Sequence, residues 1–123
     1  MPHVPLLPTA VRVHTPVGVA VVAWCGAPDQ AEGRHHVEWS VDEDIYWERN
    51  TRPAALAEPG LRQDGDAVLL RGRLDATGGG PVLEMGGAQV LFDLAAPLPD
   101  GMDLAWVEVR VGAACVSLWP YQL

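Results

Sequence analysis

Asp64-Gly65-Asp66-Ala67-Val68-Leu69-Leu70-Arg71-Gly72-Arg73-Leu74-Asp75 is the stretch that decides how this chain folds. Asp64-Gly65 is a tight-turn signal, and behind it Val68, Leu70, Gly72 and Leu74 alternate with Leu69, Arg71, Arg73 and Asp75. Successive side chains of a strand point to opposite faces, so a period of two predicts a β-strand with one apolar face. A helix would instead place its apolar residues three and four apart.

Toward the C-terminus, Thr77-Gly78-Gly79-Gly80-Pro81 predicts a loop, and the apolar runs 82–85 and 88–94 flank Gly86-Gly87. Paired glycines reach positive φ without strain, which suits a tight hairpin. A Pro-rich link over 97–101 leads to a strand over 106–111, with Ala105, Val107, Val109 and Val111 on one face. Gly112-Ala113 turns the chain into a last strand over 114–119. The triple glycine is not a phosphate loop, because no Lys follows it and no helix opens behind it.

Toward the N-terminus, every odd position from 11 to 23 is Val, Thr or Ala, while Arg12, His14, Pro16 and Gly18 hold the other face. That face turns apolar at Ala20, Val22 and Trp24, which predicts one long strand bent at Gly18 and covered on both sides in its second half. Residues 27–33 are turn-like, and Val37, Trp39 and Val41 alternate with Glu38, Ser40 and Asp42 as a half-buried strand. Ile45, Tyr46 and Trp47 either continue that strand or return to the core through a turn. Only the stretch 53–58 carries helix formers behind a proline suited to the first helical position.

Regular short strands without a βαβ repeat predict a mainly β fold: a small antiparallel, OB-like barrel of about six strands with at most one short helix. A β-sandwich is the alternative, since it shows the same alternation. The 123 residues suit one barrel domain spanning 1–123. Hydrophobic residues form 49% of the chain and charged residues 20%, the balance of a globular protein and not of a disordered one.

All eight basic residues are Arg, and the formal charge is −8. Such a charge opposes phosphate backbones, so no nucleic-acid partner is expected. The first residues lack a basic leader region and the apolar run 17–24 is too short to cross a bilayer, which predicts a cytoplasmic chain without membrane contact. Cys25 and Cys115 are expected to be free thiols, as a reducing compartment favours.

The order over residues 67–121 runs from Leu70-Arg71-Gly72-Arg73-Leu74-Asp75 through a Gly-rich loop and a hairpin ending in Leu91-Phe92-Asp93-Leu94. The 106–111 strand follows, and Val116-Ser117-Leu118-Trp119-Pro120-Tyr121 closes the chain. This pattern resembles the small OB-fold-like barrels and is similar to small acidic bacterial immunity and regulatory proteins. The resemblance implies a ligand-binding barrel but transfers no functional position. Single-stranded nucleic acid on such a barrel needs aromatics beside basic residues, and the group Arg49, Arg52, Arg71 and Arg73 would have to supply them. The aromatics near residues 38–48 stand beside carboxylates instead.

Candidate chemistry is sparse. His35, His36 and Glu38 are the most ligand-like group, yet adjacent strand residues face opposite ways and do not readily share one ion. Asp42-Glu43-Asp44 lacks the glycine-turned loop of a calcium site. Neither Cys25, Cys115, Ser40 nor Ser117 sits in a nucleophile motif, so no catalytic residue, metal or cofactor is assigned. The expected function is a non-enzymatic binding or regulatory one: Glu38, Trp39, Asp42, Glu43, Asp44, Trp47 and Trp106 form an acidic, Trp-containing surface for a basic partner protein. Trp106 is the exposed aromatic of that set, on the side of Glu108 and Arg110. The alternative is a small-molecule-binding or catalytic barrel with a pocket lined by Trp and Tyr, where His14, His35, His36 or Glu38 makes the polar contact.

Overall fold

The structure is a computed structural model and describes residues 9–75 and 81–120. Ten strands follow one another: β1 Thr9–Thr15, β2 Gly18–Trp24, β3 Val37–Val41, β4 Thr51–Pro53, β5 Gly60–Asp64, β6 Ala67–Asp75, β7 Val82–Met85, β8 Ala88–Leu91, β9 Trp106–Gly112 and β10 Val116–Pro120. Short 3-10 turns at Pro28–Gln30 and Ala113–Cys115 are the helical elements among the described residues. Among the described residues no helix is long and apolar enough to cross a membrane.

The pairings β2–β10–β3–β8–β7–β6–β5 return from β5 to β2 and close a seven-stranded barrel, not a sandwich. β6 organises it. One edge of β6 bonds β9 over residues 67–73, while the other passes from β5 at 67–71 to β7 at 73–75. Gly72 sits at this handover, where a Cβ would stand 2.2 Å from the Glu84 carbonyl oxygen. β1 is attached to β2 alone among the described residues, and β4 extends the far edge of β9.

The alternation read in β6 is the inner wall: Val68, Leu70 and Leu74 are buried against Val107, Val109 and Val111 of β9. Trp24, Trp39 and Leu118 complete the same core. Each fully buried aliphatic side chain of this kind contributes about 1.5–3 kcal/mol.

One local expectation changes, and the structure adds detail elsewhere. The run 11–23 is not one bent strand but a hairpin, with β1 and β2 joined by Pro16-Val17 and paired Val13 to Ala20 and Val11 to Val22. Residues 53–58 form no helix, within the expectation of at most one, and Thr51–Pro53 pairs with β9. β5, with Leu61 its one buried residue, was not foreseen, although it closes the barrel. The strand does not continue through Ile45 to Trp47, and the aromatic pair does not return to the core together: Ile45 bridges Leu94 and is buried, Trp47 bridges Thr51 and is half-buried, Tyr46 stays exposed, and Glu48 takes a φ of 68° after Trp47. The 88–94 run is a strand only over Ala88–Leu91. The predicted loop falls largely outside the described residues, which resume at Pro81.

Candidate functional site

The seven residues expected to form one surface are dispersed. Trp39 is buried in the core at 3% exposure, and Trp47 is half-buried against it. Glu43 is held inward: one carboxylate oxygen accepts the Gly112 N–H at 3.0 Å, the other the Asn50 amide at 3.4 Å. Asp42 and Asp44 remain exposed. Glu38 pairs across from Trp119 on β10, whereas Trp106 is half-buried on β9, opposite Arg73. β3 and β9 are separated in the sheet by β8, β7 and β6.

Trp119 is the exposed tryptophan that the strand pattern did not single out. Half of its surface is open at 50%, and its Nε1–H donates to Ser40 Oγ at 3.1 Å. Both cysteines are free thiols. Burial pushes the Cys115 thiol up, and the Glu43 and Asp42 carboxylates push it further, so the thiolate is disfavoured.

Three of the four arginines that nucleic acid would need do share a face, since Arg52, Arg71 and Arg73 project from the outer side of β4 and β6. Carboxylates occupy two of them, Arg52 and Arg71, while Arg73 is exposed and forms no ion pair among the described residues. Arg52 meets Glu108 at 3.0 Å, Arg71 lies 3.6 Å from Glu58 and 4.0 Å from Glu108, and neighbouring Arg110 binds Asp64. Arg49 instead stacks over the Tyr46 ring, 4.4 Å from its centroid.

A different region brings two arginines and three histidines together. An open groove of about 1300 Å³ lies between β1 and the segment 31–37. Its floor is apolar, built from Val11, Val13, Trp24, Val37 and Leu118 on the adjoining strands β1, β2, β3 and β10. Arg34, His35 and His36 line its far side, and Arg12 and His14 border it from β1, on the strand face opposite Val11 and Val13, with Glu32 the one carboxylate among its described residues. Arg12 and Arg34, like Arg49, Arg62 and Arg73 and unlike Arg52, Arg71 and Arg110, form no ion pair among the described residues.

Local contacts hold the rim segment in place. Trp24 Nε1–H donates to the Ala27 carbonyl at 2.9 Å, so the buried indole anchors the chain as it leaves β2. His35 packs on the same indole, with ring centroids 5.0 Å apart and planes tilted by 53°. Its Nε2–H donates to the Glu32 carbonyl at 3.0 Å. The residues at 31–36 are thus a braced wall. No three His, Cys, Asp or Glu side chains among the described residues come within reach of one metal ion.

No protein-family model matches this chain, nor does any curated protein or any solved structure.

Proposed function

We propose that this protein is a non-enzymatic binding protein that holds an anionic ligand in the groove between β1 and residues 31–37. The observation that carries the reading is that Arg12 and Arg34, which form no ion pair among the described residues, line an apolar-floored groove in a chain of net charge −8. An apolar floor with a few convergent polar groups is the usual make-up of a ligand site. Charged groups left without internal partners are those available to an incoming anion, and Arg presents a fork matched to carboxylate or phosphate. His14, His35 and His36 add donors to the same groove.

The test is calorimetric titration with inorganic phosphate, a linear dicarboxylate and a peptide carrying several carboxylates. Binding that is lost in the Arg12→Ala/Arg34→Ala double variant, with the fold intact by circular dichroism, supports the reading. Equal binding by the double variant contradicts it.

A second reading rests on Asp42 and Asp44, which remain exposed on the segment after β3. They suit a basic partner protein, as an immunity-like or regulatory subunit would use them. That association should be fast and salt-sensitive, and Asp42→Asn/Asp44→Asn should slow it.

A further inference from the structure

Six consecutive residues, from Val11 through Pro16, line the groove. Side chains alternate between the faces of a strand, so an unbroken run on one cavity means that β1 presents its edge to it as well as a face. Among the described residues no second strand occupies that edge, since β1 pairs with β2 alone. An unpaired edge offers a row of backbone donors and acceptors to another extended chain. Across the opening stands the braced 31–37 wall with Arg34, His35 and His36.

We propose that β1 accepts an extended acidic peptide as an additional strand, held by backbone hydrogen bonds to the edge, with carboxylates beside Arg12 and His14 on one face and apolar side chains over the groove floor on the other. This rests on the groove being an anion site and names the class of its ligand. Strand addition takes affinity from the main chain and specificity from alternate side chains. Carboxylates two residues apart along such a strand lie about 6.6 Å from one another, which matches the spacing of Arg12 and His14 on β1. A second copy of this chain is the poorer occupant. Antiparallel self-pairing centred on β1 sets Arg12 against Arg12, and like charges directly opposite each other destabilise a sheet. Glu32 on the rim tempers the positive charge without reversing it.

The experiment uses the full chain and a short peptide alternating Glu and Val, titrated by fluorescence anisotropy. A parallel series carries N-methyl groups on alternate residues, in both registers, to remove backbone donors while keeping every carboxylate. The proposal expects binding that weakens with salt, is absent for a Lys-Val peptide, and falls roughly tenfold or more in one N-methyl register. Equal affinity of parent and both N-methylated peptides would overturn strand addition while leaving the anion groove standing. Binding of phosphate or dicarboxylate without any peptide binding overturns the peptide assignment alone. Failure of every anion overturns both readings.

Discussion

Gly18 lies so close to Leu61 that a Cβ on it would stand 1.8 Å from the Leu61 carbonyl oxygen. The contact is the parallel pairing of β2 with β5, the step that closes the barrel. Gly18 also holds a φ of 150°, which L side chains rarely adopt. Gly18→Ala therefore meets a steric overlap and a backbone cost together, and is expected to destabilise the fold by about 3 kcal/mol. Thermal denaturation should show a midpoint lower by roughly 10 °C. An unchanged midpoint would mean that β2 and β5 are not joined in this way.

Gly72 makes the matching claim at the handover of β6 from β5 to β7. Its hypothetical Cβ overlaps the Glu84 carbonyl at 2.2 Å, so Gly72→Ala should also destabilise, by about 1–3 kcal/mol. Hydrogen exchange should quicken first at β7 and β8, the strands that would be pushed away. Protection unchanged there would argue against the handover.

Those two glycines show what the sequence made legible and what it hid. The alternation in β6, β3 and β9 reported their buried faces, and Gly86-Gly87 marked the β7–β8 hairpin. The β1–β2 hairpin carried a signal that was read differently. A two-residue turn pairs odd positions with even ones, so the odd face of β1 and the even face of β2 are the same surface. The switch of apolar parity at Ala20 is that hairpin, while the end of β2 is covered on both sides, with Val22 and Trp24 buried on one face and Ala23 on the other. β5 was hidden because Gly60-Leu61-Arg62-Gln63-Asp64 places a single large apolar residue on its inner face. The groove was beyond reach, for Arg12, Trp24, Arg34 and Leu118 meet only through the parallel pairing of β10 with β2 and the fold-back of residues 31–36. The acidic run looked like one surface because sequence does not show that Glu43 turns inward to the Gly112 amide.

That inward turn is testable at Cys115. Burial and the adjacent Glu43 carboxylate both hold the thiol in its protonated form. Glu43→Gln removes the charge while keeping an acceptor for the Gly112 N–H, so alkylation of Cys115 at neutral pH should accelerate several-fold. Peptide mapping after a timed iodoacetamide pulse would measure it. A rate unchanged in the variant would place Glu43 away from Cys115.

Arg110, through its hydrogen bond and its charge, holds the Asp64 carboxyl below the usual aspartate range. A carboxyl depressed in the folded state adds stability above its unfolded pKa and loses it as pH falls through the lower folded value. The pair is solvent-exposed, so the effect is small and fades with salt. A carbon-detected NMR titration of Asp64 should show its pKa rising in Arg110→Ala, and no rise would remove the pair.

The groove itself is tested most directly by mapping amide chemical shifts of the isotope-labelled protein as the alternating Glu-Val peptide is added. Perturbations gathered at residues 9–15 and 31–37, and abolished in Arg12→Ala/Arg34→Ala, are the predicted result. A map in which those segments stay silent while residues 42–48 respond to a polycationic peptide would contradict it, and would place binding on the acidic segment instead.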